Sequence, residues 1–335
     1  MPWKLYLAKG HSCDVFSMGE YMKRSTGALL FALAAFFLSG CASVQESIYD
    51  AGISAERMLS GMEEGHVQVQ GNTISYLERK GTGETIVLIH GFGADKDSWV
   101  RFTRYIPKEY RVIAFDLPGH GESFKTNDKT YTLDFIMQGF AAAAEALKLD
   151  RFHLAGNSMG GWISMLYTNR NPDKVITLGL MDTAGLISPE PSDRQKALEK
   201  GRNVLIPTTD DDFFTLLSYA FHKEPFLPWP AKNVYARRAV ADAPLKRKIW
   251  KDIWSTNENA ENLLPELKLP VIIIWGNRDR ITHVSTVEVL ERYLPNSKTV
   301  IFPDCGHMPM LERPEETAHA YTNYLGGYRQ ELSAD

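Results

Sequence analysis

The sequence predicts an α/β fold: a mostly parallel central sheet with helices on both faces and a helical insertion between two of its strands. Three observations predict it. Short β-branched apolar runs (TIVLI, RVIAF, FHLAG, VITLGLM, VIIIW, KTVIF) recur between segments of helical spacing, the alternation that buries a parallel sheet on both faces. The alternation breaks between about residues 186 and 264, where aromatics, prolines and charges gather without a strong strand. Two of the runs end in glycine-rich turns, at Gly91–Gly93 and Gly156–Gly161, and open α/β sheets bind their ligands beyond such strand ends.

The chain of 335 residues, 44% hydrophobic, is long enough for one large domain with an insertion or for two small ones. A formal net charge of −4 without an extended basic patch argues against a nucleic-acid partner. The N-terminal stretch MKRSTGALLFALAAFFLSGCAS, from Met22, has a basic pair, an apolar run over Gly27–Leu38 and small residues up to Cys41. That is the layout of a secretory signal peptide, too short for a comfortable membrane span. LSGC (Leu38–Cys41) resembles the lipobox of bacterial lipoproteins, whose cysteine is lipidated and becomes the mature N-terminus. That resemblance implies a cell-envelope protein held to the membrane by lipid, and Ala42 after the cysteine implies the outer membrane. An ordinary signal peptide and an uncleaved anchor are the alternatives. Asp14 and Glu20 ahead of the basic pair suit a signal peptide badly and point to Met22 as the start. Cleavage before Cys41 removes four cations and two anions and takes the formal charge from −4 to −6. Cys13, Cys41 and Cys305 are the three cysteines, which leaves no disulfide framework and no paired-cysteine metal site in the mature chain.

Taken in order, residues 1–41 read as an extension plus signal peptide and 42–63 as a polar tether with some helix. HVQVQGNTISYLERKG alternates and turns at Gly71-Asn72, a β-hairpin pattern. Thr85–Gly91 and Arg111–Phe115 are strands, and YTLDFIMQGFAAAAEALKL has helical spacing. FHLAG leads into the helix SMGGWISMLYTNR; VITLGLMD, VIIIWGNRD and Lys298–Phe302 are the remaining strands; PEETAHAYTNYLGG closes with a helix. The core is thus 64–185 and 265–335, with 186–264 a helical insertion between two sheet strands.

Ser158, in Gly156-Asn157-Ser158-Met159-Gly160, fits G-x-S-x-G at the mouth of a helix. Such a turn exposes a nucleophilic hydroxyl, although a Gly-Ser turn after a strand is also common as plain structure. A serine needs a base, and His307 follows the last strand in DCGHMPMLERP. The base needs an orienting acid: Asp279 in WGNRDRI is favoured, with Asp182 in LMDTAG and Asp304 as rivals. Phe92 in HGFG and Met159, next to the serine, are the candidate backbone oxyanion donors. GFG does not open a dinucleotide fingerprint, because Lys96 stands where the third glycine belongs. Asp116 and His120 read as structural, His90 as a support for the oxyanion loop, Glu312 as a support for the histidine loop and Cys305 as packing. Phe213, Leu217, Phe221 and Trp229 in the insertion are candidates for an acyl pocket, set against their serving as the insertion's own core. Asp210, Asp211 and Asp212 read as a solvated capping turn.

HGFGADKDSW, FDLPGHGES, GNSMGG, WGNRDRI and CGHMPMLERP, in this order, resemble the α/β-hydrolase superfamily and, within it, the Moraxella/Psychrobacter-type bacterial lipases and the related monoacylglycerol lipases. The resemblance covers roughly residues 65–325. It implies the α/β-hydrolase fold, Ser158 as nucleophile, His307 as base, Asp279 as acid, Phe92 and Met159 as oxyanion donors, a helical cap in the insertion, and no metal or organic cofactor. It implies a serine hydrolase (lipase/esterase) acting through an acyl-enzyme on small-molecule acyl esters or acylglycerols. A carbon–carbon bond hydrolase of the ring-cleavage type, a non-catalytic binding lipoprotein and acyl transfer to another alcohol are the competing readings.

Overall fold

The computed structural model describes residues 42–334 except 228, 257 and 258; the expected signal peptide, Met22 and Cys41 lie outside the described residues. Eight strands form one sheet: β1 (Glu63–Val69), β2 (Asn72–Arg79), β3 (Thr85–Ile89), β4 (Arg111–Phe115), β5 (Phe152–Asn157), β6 (Val175–Met181), β7 (Val271–Gly276) and β8 (Lys298–Phe302). Their spatial order is β1-β2-β4-β3-β5-β6-β7-β8. β1 and β2 pair antiparallel, as do β2 and β4; every other pairing is parallel.

The sheet is buried because its central strands are apolar on both sides. Along β3, Val87 and Ile89 join the core on one face, Ile86 and Leu88 that on the other, the period-two consequence of a pleated strand. One face is covered by α3 (Leu133–Ala146) and α4 (Met159–Arg170), the other by α2 (Val100–Thr103) and α10 (Pro314–Ala334). Thr132 caps α3 by accepting from Phe135 N–H. α4 is buried on nearly every side, as befits a helix wedged between sheet and cap.

The hairpin turn falls one residue earlier than Gly71-Asn72. Val69 pairs with Asn72, so Gln70 and Gly71 form the two-residue loop, with φ of 49° and 78°. Two positive φ values are what a type I′ turn requires to match strand twist; the sequence pattern locates the glycine but not which neighbour shares the loop.

Between β6 and β7 the cap carries α5 (Asp193–Glu199), α6 (Asp210–Ala220) and α7 (Ala231–Ile253). Thr209 accepts from Asp212 N–H at the start of α6, and Asp210–Asp212 fill its first turn, where acidic residues favour the helix dipole. α8 (Thr286–Tyr293) and α9 (Pro309–Glu312) complete the core.

Residues expected as a tether form α1 (Ala42–Ser60), a 19-residue helix. It docks through an apolar cluster, Tyr49 and Ile53 with Val234 and Tyr235 of α7, and through charge: Arg237 and Arg238 of α7 bind Glu46, the Arg238 guanidinium lies 4.4 Å from the Tyr49 ring centre, and Arg57 reaches both carboxylate oxygens of Asp97 at 2.6 and 2.7 Å. No described helix is long and apolar enough to cross a membrane.

Candidate active site

Ser158 sits between the end of β5 and the start of α4 with φ 56° and ψ −121°, a left-handed-side conformation that costs a non-glycine residue energy. The turn is tight enough that only glycine fits beside it. A Cβ on Gly156 would lie 2.3 Å from the Gly160 carbonyl carbon, and one on Gly160 would lie 2.3 Å from Ile89 O. Ser158 N–H donates to Met181 O, and its own carbonyl accepts from Gly161, Trp162 and Ala184, so the strained turn is held on both sides. The same packing presses the α4 N-terminus against the loop after β3, which carries Phe92.

Among the described residues the N–H groups of Phe92 and Met159 have no acceptor. Two free donors flanking a serine can receive a developing negative charge. Behind the Phe92 loop, His90 Nδ1–H donates to Gly91 O at 2.7 Å and Nε2 accepts from Leu117 N–H at 3.1 Å. Burial pushes this imidazole down to about 4, so it is a neutral brace. Phe92 packs its ring against Trp250 of the cap and against His120. Asp116 is structural: it accepts from Lys96 N–H, Lys96 Nζ and Glu122 N–H.

His307 Nδ1 and Asp279 Oδ2 are 2.7 Å apart and both residues are buried. Asp279 is fastened by Ile281 N–H at 2.7 Å, Thr282 N–H at 3.0 Å and the Thr282 hydroxyl at 2.6 Å. This fixes its carboxylate and, through it, the imidazole, leaving Nε2 as the ring nitrogen free for proton transfer. Of the rival acids, Asp304 lies away from the site beside Arg278 and His222. Asp182 is at the site: its carboxylate, that of Asp279 and a ring nitrogen of His307 lie within 4.8 Å of one another. Of the two, only Asp279 is hydrogen-bonded to the ring; Asp182 accepts instead from Gly276 N–H at 2.9 Å.

Two positions carry more than sequence reasoning assigned to them. Asn157 Nδ2 donates to Met181 O at 3.1 Å and to His307 O at 3.0 Å, so the residue before the serine grips the backbone of the histidine. Glu312 accepts from Gly306 N–H in the histidine loop and from His222 and Lys223 N–H in the cap. His307 N–H donates to Ala220 O at the end of α6, so the cap touches the histidine directly. Cys305 is buried, and burial pushes its thiol up, which leaves it inert packing.

A cleft of about 470 Å³ is lined by Phe221, Ser218, His222, Arg280, His283 and Asp279, among others. It brings one of the four cap candidates, Phe221, to the acid side of the site. Phe213 is buried against Phe214 within the cap, Leu217 is half-buried, and Trp229 stands exposed; none of these three lines that cleft.

The strand order, with a serine on a sharp turn after the fifth strand and a His–Asp pair from the loops after the last two, defines a hydrolase of α/β architecture. The chain belongs to the alpha/beta hydrolase fold family, whose profile matches residues 84–314. It is 30% identical over 308 residues to Lipase 1 of Psychrobacter immobilis, a match spanning 90% of this chain and 96% of that one. It is 28% identical over 262 residues to Monoacylglycerol lipase ABHD6 of Bos taurus, covering 75% and 78% of the two chains. The crystal structure of a membrane phospholipase A, a bacterial virulence factor, superposes with a TM-score of 0.83 at 39% identity and covers 92% of this chain and 99% of that one. The protein is therefore an ester-hydrolysing enzyme of the lipase/esterase type.

Proposed function

We propose that Ser158, His307 and Asp279 hydrolyse acylglycerols and similar acyl esters of short to medium chain through an acyl-enzyme. The observation that carries this reading is the 2.7 Å His307–Asp279 pair set beside a serine on a strained turn whose flanking N–H groups are free. Ser158 Oγ attacks the acyl carbonyl while His307 Nε2 takes its proton. Asp279 holds Nδ1–H, fixing the tautomer and stabilising the imidazolium. Phe92 and Met159 N–H receive the oxyanion. The tetrahedral adduct collapses, and the departing alcohol takes the proton from His307. Water, deprotonated by the same nitrogen, then releases the fatty acid.

The N-terminal reading stays with the enzyme: Cys41, lipidated, anchors it in a bacterial envelope, most directly the outer membrane. Mass spectrometry of the native N-terminal peptide checks this; acylated Cys41 is expected, and a free thiol in a chain starting at Met1 rejects it.

The activity test uses protein starting at Ala42 with p-nitrophenyl esters and monoacylglycerols of increasing chain length, beside Ser158→Ala. That variant is expected to keep the fold and lose at least ~10³-fold in kcat. Near-wild-type turnover in it removes the nucleophile assignment. Folded wild-type protein that is silent on every ester but cleaves a ring-cleavage dienoate moves the chemistry to carbon–carbon hydrolysis.

A further inference from the structure

Asp182 has no part in the mechanism above, yet it is tightly constrained. It follows β6 with φ 45°, strained for a residue with a side chain, and is fully buried. Its Oδ1 accepts from Gly276 N–H at 2.9 Å, whereas its Oδ2 has no hydrogen-bond partner among the described residues. It lies against Asp279 and His307, and Cys305 and Glu312 are the other titratable groups near it.

Two carboxylates this close in a dry site do not both ionise. The donors decide which one keeps the proton. Asp279 collects four: His307 Nδ1–H, the Thr282 hydroxyl, Ile281 N–H and Thr282 N–H. Asp182 collects one. Hydrogen bonds to the charged form stabilise it, so the charge resides on Asp279. Burial, and then the Asp279 charge, push the Asp182 carboxyl well above its usual range.

We infer that Asp182 is a reserve acid for the triad: it holds the proton of the Asp182–Asp279 pair while Asp279 is charged, and ionises to support His307 when the Asp279 charge is removed. This rests on the triad reading above. Asp182 acts through His307 and touches no substrate, so it is a positioning residue. In Asp279→Asn the like charge is gone while burial still opposes ionisation, so Asp182 gives its proton to solvent as His307 becomes imidazolium, and one carboxylate again faces the ring.

The test compares Asp279→Asn, Asp182→Asn and the double variant. Asparagine tolerates positive φ and keeps an oxygen for Gly276 N–H, and circular dichroism checks each fold. Asp279→Asn is expected to retain at least ~10-fold more kcat/KM than the double variant. Equal losses in the two overturn the inference. Infrared difference spectra give a second readout that needs no Asp182 variant. Wild type at neutral pH should show the carbonyl stretch of a buried carboxylic acid, lost in Asp279→Asn as the imidazolium forms and Asp182 ionises. A wild-type spectrum with carboxylate bands alone overturns the shared proton. Ser158→Ala tests the triad reading separately, because the infrared band does not depend on turnover.

Discussion

At the carboxyl ends of β5 and β7 the polar side chains are buried and multiply bonded, whereas along the cap edge Phe226 and Trp229 stand 81% and 59% exposed. Asp279 is fixed by backbone and hydroxyl donors, and Asn157 ties the serine's strand to the histidine's loop. The cap is tied to the rest of the chain by, among others, Ala220 O to His307 N–H, Glu312 to His222 and Lys223 N–H, Lys246 Nζ to Gly119 O, Arg194 to Ile281 O and Tyr131 N–H to Asp252, but its edge is open to solvent. The difference teaches where each job is done. Chemistry needs groups held in place before substrate arrives, and the sheet end supplies that. Selectivity needs a surface that can change without disturbing those groups, and the cap edge, with Phe226 and Trp229 open to solvent, is such a surface.

Changes at the sheet end should therefore cost far more than changes at the cap edge. Gly160→Ala drives a Cβ into two backbone carbonyls that cannot step aside, and should destabilise the protein by about 3 kcal/mol or more, read as a fallen denaturant midpoint. Asn157→Ala leaves the buried His307 carbonyl without its donor, at a cost of about 1–3 kcal/mol. It also loosens the histidine loop, so kcat should fall ~10–100-fold; an unchanged kcat would mean that the loop holds itself.

Lys246 links cap to core in a different way. Burial pushes its ammonium down to about 7, below the value of about 10.4 in the unfolded chain. A cation whose folded value is depressed costs stability fully below the folded value, and the cost fades as pH rises towards the unfolded one. The wild-type melting temperature should therefore gain on that of Lys246→Met between pH 7 and 10, and parallel curves would refute a buried charge there. Smallest of all, Trp229→Ala should shift stability by no more than ~0.5 kcal/mol. A soluble short-chain ester should be hydrolysed at nearly the wild-type rate; a large loss would place Trp229 at the substrate after all.

The strands, the serine turn and the loops bearing His307 and Asp279 were legible because each is written locally, in apolar runs, glycine pairs and strand ends. What sequence leaves out is what distant segments do to one another. Asn157 occupies a variable position of G-x-S-x-G, and its partner is 150 residues away, so no pattern flags it. Asp182 and Asp279 read as alternatives, yet β6 and β7 are neighbours with Met181 beside Ile274, which brings both acids to one histidine. The aromatic run of the cap reads as one apolar surface, but α6 and the segment after it divide it: Phe213 turns inward, Phe221 reaches the cleft and Trp229 faces out. The polar composition of 42–63 suggests slack chain because its partners, Arg237, Arg238 and Asp97, lie far along the sequence.

That N-terminal helix has a practical consequence for anyone handling the enzyme. α1 grips α7 of the cap at one end and, through Arg57 and Asp97, the Lys96–Trp99 turn beyond the Phe92 loop at the other. It is a splint across two parts far apart in the sequence. Trimming the chain after Ser60 would strip the splint, uncover the half-buried Asp97 and free α7 on one side. A cut immediately before Ala42 keeps it whole, and a tag or surface linkage attached there pulls on the cap and the Lys96–Trp99 turn together rather than on a loose end.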